Sequence, residues 1–186
     1  MSIKLYICDI DNTLLFTDSL NSESYVKSAE QLHIRLPKQI HNEPRITEQI
    51  IRKYLPDIEE STIKKLKCCK LKYFLNNLNK ITINDNLLDL IKNQPGFLCL
   101  WTSSTEKRAI IECNTLKVPY DDLISVNKDL ITDDRVKGII CAWAKKYKVP
   151  QKDILIVDDN ETFLNRIREL GYKTLAIRRD VSSKQY

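Results

Sequence analysis

Two carboxylates, Asp9 and Asp11, stand two positions apart in Asp9-Ile10-Asp11-Asn12-Thr13, directly after the apolar run Leu5-Tyr6-Ile7-Cys8. A buried strand that stops at Asp9 projects the following groups into the crevice at the carboxyl edge of a sheet, where α/β proteins bind ligands. This spacing suits phosphate chemistry. One carboxylate can attack phosphorus and bind a divalent cation, while the other delivers a proton to the departing oxygen and later takes one from water. Asp, Asn and Thr also crowd into ordinary turns, so the string gains its meaning from three further parts.

Thr102 follows Phe97-Leu98-Cys99-Leu100-Trp101, a short apolar run that reads as a strand buried on both faces. Its hydroxyl, with the backbone N–H groups of Ser103 and Ser104, is placed to hold a phosphoryl oxygen at the start of the next helix. A helix cap before Glu106-Lys107-Arg108 is compatible with that role. A lysine is the third part. Lys137 opens a helical stretch that feeds the next strand and is the preferred candidate to neutralise Asp9 and a bound phosphate; Lys128, on the preceding loop, competes with it. The fourth part is Asp158-Asp159 after Ile154-Leu155-Ile156-Val157. Adjacent acids at a strand end repel unless a cation sits between them, and oxygen-only ligands suit magnesium.

This series, Asp9-Ile10-Asp11-Asn12-Thr13-Leu14-Leu15, Leu100-Trp101-Thr102-Ser103-Ser104, Lys137 and Val157-Asp158-Asp159-Asn160, resembles the four motifs of the haloacid dehalogenase (HAD) superfamily. The resemblance covers nearly the whole chain outside residues 17–80. It implies a Rossmann-like core with Asp9 as the nucleophile forming an aspartyl-phosphate and Asp11 as general acid and base. Thr102, Ser103 and Lys137 would then bind the phosphoryl group. Magnesium would be held by Asp9, the Asp11 carbonyl and Asp159, with Asp158 acting through water or orienting a ligand. Two positions depart from the usual pattern: Asn12 stands where many members have Gly, and Gly138 stands where Pro often follows the lysine. Asn tolerates the left-handed backbone better than most residues.

The elements that must position these groups alternate. Strands are expected near residues 3–8, 97–101, 123–126, 153–157 and 173–177, and helices near 85–92, 105–116, 136–147 and 161–170. That order predicts an α/β fold with a doubly wound parallel sheet. Residues 22–33, 44–54 and 59–78 have helical spacing, punctuated by Pro37 and Pro56, and predict an inserted helical cap over residues 17–80. The catalytic core is then residues 1–16 and 81–186, with a loose tail at 181–186. A cap of this size closes over the leaving group, excludes water and favours small metabolites.

At 186 residues and a net charge of +5 the chain is long enough for a well-buried core and mildly favours an anionic partner. The lysine-rich stretch at 63–73 admits a polyanion-binding reading, including nucleic acid, but Ile63, Leu66 and Tyr73 lie near one helical face and favour a solvated amphipathic helix. The six cysteines form no C-x-x-C pair, and His33 and His41 are too few and too remote from the acids for a zinc site. No apolar run reaches membrane-spanning length and no signal-peptide pattern opens the chain, which predicts a cytoplasmic enzyme in a reducing compartment, without membrane partners.

The leading function is a magnesium-dependent phosphomonoester hydrolase acting on a small phosphorylated substrate. A phosphomutase would use the same chemistry, and a non-catalytic phosphate- or magnesium-binding module would keep the fold without turnover. A dehalogenase needs no acid at position 11. A signalling receiver places its acidic pair before the phosphoacceptor, the reverse of this order. Oligomeric state and substrate are left open.

Overall fold

In the computed structural model, residues 2–128 and 130–178 are described. The loose tail expected at 181–186 lies outside them. The first apolar run forms β1 (Leu5–Asp9), every residue of which is buried. That burial explains its lack of polar alternation, since a central parallel strand is covered on both faces. It pairs in parallel with β4 (Phe97–Thr102) on one side and β6 (Ile154–Asp158) on the other. β5 (Asp122–Ser125) adds outside β4, and β7 (Lys173–Ala176) outside β6. The order is therefore β5-β4-β1-β6-β7. The chain builds outward from β1 to β5 and crosses back to β6, so the strand order reverses beside β1. In open α/β sheets that reversal opens a crevice at the carboxyl ends.

Alternate residues of each strand feed two apolar layers. Tyr6, Cys8, Leu98, Leu100 and Val157 pack with α4 (Asp85–Lys92) through Leu87, Leu88 and Ile91, and with α5 (Glu106–Thr115) through Ala109 and Cys113. On the opposite face Leu5, Ile7, Cys99, Trp101, Ile154 and Ile156 meet α6 (Asp133–Tyr147) and α7 (Glu161–Glu169). The expected doubly wound parallel sheet is present. Its boundaries differ from the sequence reading by a few residues, because capping rather than apolar spacing sets the ends. Thr132 accepts the Arg135 N–H and starts α6 at Asp133, three residues before the apolar periodicity begins.

Between β1 and β4 the chain forms α1 (Asp18–Gln31), α2 (Glu48–Tyr54) and α3 (Glu60–Asn76). Tyr25, Ala29, Ile40, Ile46, Ile51, Ile63 and Leu66 make a third apolar cluster there, while Leu20 and Phe74 belong to the first sheet layer. A two-stranded antiparallel ribbon, β2 (Leu15–Phe16) with β3 (Thr82–Ile83), flanks this segment at both ends. Two-residue strands carry no readable period, and the sequence reading has no counterpart for them. His33 and His41 are both exposed. No helix among the described residues is long and apolar enough to cross a membrane.

Trp101, one residue before Thr102, is 1% exposed and meets the rings of Trp143 and Phe163 edge-on at 6.5 and 5.4 Å. Its indole Nε1 has no hydrogen-bond partner among the described residues. Trp101→Ala is expected to lower stability by about 3–5 kcal/mol through the cavity it leaves. Trp101→Phe, which also removes the unpartnered donor, should cost clearly less. Urea unfolding of the two variants checks this.

Candidate active site

The end of β1 is closed by a tight loop in which Leu14 N–H and Leu15 N–H both donate to the Ile10 carbonyl, at 3.1 and 2.9 Å. Asn12 takes the left-handed conformation, φ 65°, that the loop requires, and its side-chain oxygen accepts the Asp18 N–H. This loop sets Asp9 and Asp11 into different surroundings.

Asp9 lies among acids. It is 6% exposed, and ligand oxygens of Asp9, Asp158 and Asp159 lie within 4.8 Å of one another. The Lys128 ammonium bridges the cluster, donating to Asp9 Oδ1 and, at 2.6 Å, to Asp158 Oδ2. Burial pushes the Asp9 carboxyl up to about 7; Lys128 opposes this and the Asp158 charge adds to it. Asp159 is raised too, by burial and then by Asp158. Burial of its charge works against the Lys128 ammonium, but the carboxylates of Asp9 and Asp158 outweigh that and hold its pKa above the ordinary lysine value.

Asp11 lies among donors. Thr17 Oγ1, Ser104 Oγ and Arg108 Nη2 each donate to it at 2.7 Å. Burial alone would raise its carboxyl, but Arg108 and the two hydroxyls outweigh that and hold it at about 2. Arg108 also donates through Nε to Glu112, and its guanidinium lies 4.2 Å from the centroid of the Phe74 ring. Glu112 is fully buried, and burial pushes its carboxyl up to about 7.

The lysine at the carboxylates is thus Lys128, not the preferred Lys137. Lys137 follows Val136 on α6, whose buried stripe is Val136, Ile140 and Trp143, and a step of about 100° around the helix puts it on the exposed face. The loop after β5 reaches back over the strand ends, and the Lys128 N–H donates to Ser103 Oγ at 3.4 Å. Thr102 is fully buried and its hydroxyl accepts the Ser104 N–H at 3.0 Å, so its own proton remains to donate. Asp158 accepts Lys128 on one oxygen and the Asn160 N–H on the other, at 2.9 Å.

Arg108, Glu112, Thr17 and the Ser104 side chain were not marked by the sequence reading. One signal was available: Glu112 falls between Ala109 and Cys113 on the buried stripe of α5, and a carboxylate there requires a cation, which Arg108 supplies four residues earlier.

No family model and no curated protein sequence matches the chain. Solved structures do. YfnB from Bacillus subtilis, bound to magnesium, is 12% identical with a TM-score of 0.76, over 98% of this chain and 92% of that one. CbbY from Rhodobacter sphaeroides, in complex with phosphate, is 14% identical with a TM-score of 0.67, over 99% and 90%. A haloacid dehalogenase-like family hydrolase from Streptococcus pneumoniae is 14% identical with a TM-score of 0.66, over 95% and 85%. The fold is that of the HAD-like hydrolases. In this HAD-like fold the acids of β1 and β6 share one sheet edge.

Without divalent cation, Lys128→Met is expected to destabilise the protein by about 3–5 kcal/mol at pH 8, because it leaves buried carboxylates with no counter-charge. Asp9 already has a raised folded pKa, so its ionised form costs stability above the unfolded value. Removing Lys128 enlarges that cost, and the deficit should narrow as Asp9 takes up a proton between about pH 8 and about pH 6. Lys137→Met should change stability little. Urea unfolding across pH distinguishes the two.

Proposed function

We propose that the protein is a magnesium-dependent phosphomonoester hydrolase of the HAD superfamily, with Asp9 as nucleophile. The observation that carries this reading is the convergence of Asp9, Asp158 and Asp159 around Lys128 at the carboxyl ends of β1 and β6. The donor set fits the metal. Three hard oxygen donors sit close enough to share one ion, and the carboxyls of Asp9 and Asp159, raised first by burial and then by the Asp158 charge, would be relieved by a divalent cation. We assign Asp9, Asp159 and the Asp11 carbonyl to the ion, and assign Asp158 to orientation, since both of its oxygens already hold groups of the chain itself. Magnesium bound there would neutralise the acids and draw charge from the phosphoryl oxygens.

Asp9 attacks phosphorus, the ester oxygen leaves, and an aspartyl-phosphate forms. Asp11 gives the leaving oxygen its proton, then takes one from the water that attacks phosphorus and regenerates Asp9. The Arg108, Ser104 and Thr17 contacts hold Asp11 ionised, which suits the second step as it stands. The first step requires Asp11 to part from Arg108 and become protonated when substrate is in place. Lys128 keeps Asp9 oriented and answers the charge of the phosphoryl group, in the role first given to Lys137. Thr102 donates its hydroxyl to a phosphoryl oxygen, with the N–H groups of Ser103 and Ser104 beside it. Residues 17–80 act as the cap that excludes water during transfer.

Purified protein is expected to hydrolyse p-nitrophenyl phosphate with magnesium and to lose that activity with EDTA. Asp9→Asn and Asp11→Asn should each lower kcat by about a thousandfold or more while far-UV circular dichroism stays unchanged. Normal turnover by either variant would remove that residue from the mechanism.

A further inference from the structure

The lysine-rich helix α3 is amphipathic as expected, with one exception. Its buried stripe is Ile63, Leu66, Lys70 and Phe74, so a charged residue occupies an apolar position. Lys70 is 9% exposed. Its ammonium lies 5.4 Å from the Tyr25 ring centroid and 5.0 Å from that of Phe74. No carboxylate or carbonyl among the described residues accepts from it. Burial first, and the Arg108 charge second, draw its pKa down to about 8, which leaves it mostly cationic at neutral pH.

Lys70 is not alone. The Phe74 ring that it faces also carries the Arg108 guanidinium, and Arg108 reaches Asp11 at 2.7 Å. Arg45, in the segment between α1 and α2, adds a third positive charge felt by both Lys70 and Asp11. Three separate parts of the chain thus bring cations to the neighbourhood of Asp11. Two of them are answered: Arg108 by Asp11 and Glu112, and Arg45 by Asp18 at 3.3 Å. Lys70 is the remainder. Ring faces attract an ammonium but return only part of the hydration it has lost, and neighbouring cations in a poorly solvated setting make its position more costly still. An anion arriving from outside reverses both effects.

We propose that the leaving group of the substrate carries a second anion, a carboxylate or a phosphate, which Lys70 binds with Arg45 and Arg108 beside it. This rests on the hydrolase reading above, in which Asp11 faces the leaving oxygen, so the cations around Asp11 mark where the rest of the substrate lies. Sugar monophosphates with neutral leaving groups are then poor substrates. The preferred class is a small phosphomonoester with a second acidic group.

A matched three-carbon series tests it: 3-hydroxypropyl phosphate, 3-(phosphonooxy)propanoate and propane-1,3-diyl bisphosphate. The wild type should show kcat/KM about 10- to 100-fold higher for one of the two doubly anionic esters, the range expected for a charge-assisted contact, and the preferred ester identifies the anion. Lys70→Met should bring that ratio close to one, and Lys70→Arg should restore part of it. Equal kcat/KM for all three esters in the wild type, or an equal loss on all three in Lys70→Met, would overturn the proposal. Calorimetric binding of the same esters to Asp9→Asn protein, with and without Lys70→Met, separates the two readings. Tighter, Lys70-dependent binding of a doubly anionic ester without wild-type turnover would uphold the anion site and sink the hydrolase. Turnover without any such preference would do the opposite.

Discussion

Lys128 between Asp9 and Asp158 is the contact on which the rest of the site depends. Three acids at adjoining strand ends, two of them buried, form a repulsive arrangement that a folded chain tolerates only with positive charge at hand. The strand order provides it. Because β1 lies between β4 and β6, the loop leaving β5 crosses the carboxyl edge of the sheet and delivers its ammonium from the side opposite the acids of β6. In the same crossing the Lys128 N–H donates to Ser103 Oγ, so the residues that follow β4 are tied to the loop that carries the ammonium.

Asp9 and Asp11 are two residues apart, yet their surroundings push them in opposite directions, to about 7 and about 2. Neither value follows from the residue type. Burial raises both, and at Asp9 the neighbouring acids add to it with one ammonium to oppose them, whereas at Asp11 an arginine and two hydroxyls outweigh it. Two carboxylates in one loop can take different parts in a reaction when their environments are separated in this way. Here the separation comes from α5, through Ser104 at its approach and Arg108 in its first turn, and from Thr17 at the start of α1.

Much of the fold was legible because its signals are local. The runs at 97–101 and 154–157 are apolar without alternation, as strands covered on both faces are, and Thr or Asp at each run's end marks the crevice. The acids at 9, 11, 158 and 159 were readable for the same reason. Lysine was not. Its identification required knowing which loop crosses the strand ends, and helical spacing around Lys137 says nothing about that. Arg108 shows a related limit. It sits among residues that look like a solvated helix face, and only the packing of α3 against α5 brings its guanidinium over the Phe74 ring. A charge on an apolar stripe, Glu112 in α5 or Lys70 in α3, is the one sequence sign that a helix face is more than core.

The central claim is that the acids of β1 and β6 form one cation site. Calorimetric titration of magnesium into the metal-free protein tests it most directly. The account predicts a single site in the wild type whose affinity falls by about a hundredfold or more in both Asp9→Asn and Asp159→Asn. Absence of magnesium binding to the wild type, or binding unaltered by both substitutions, would contradict it.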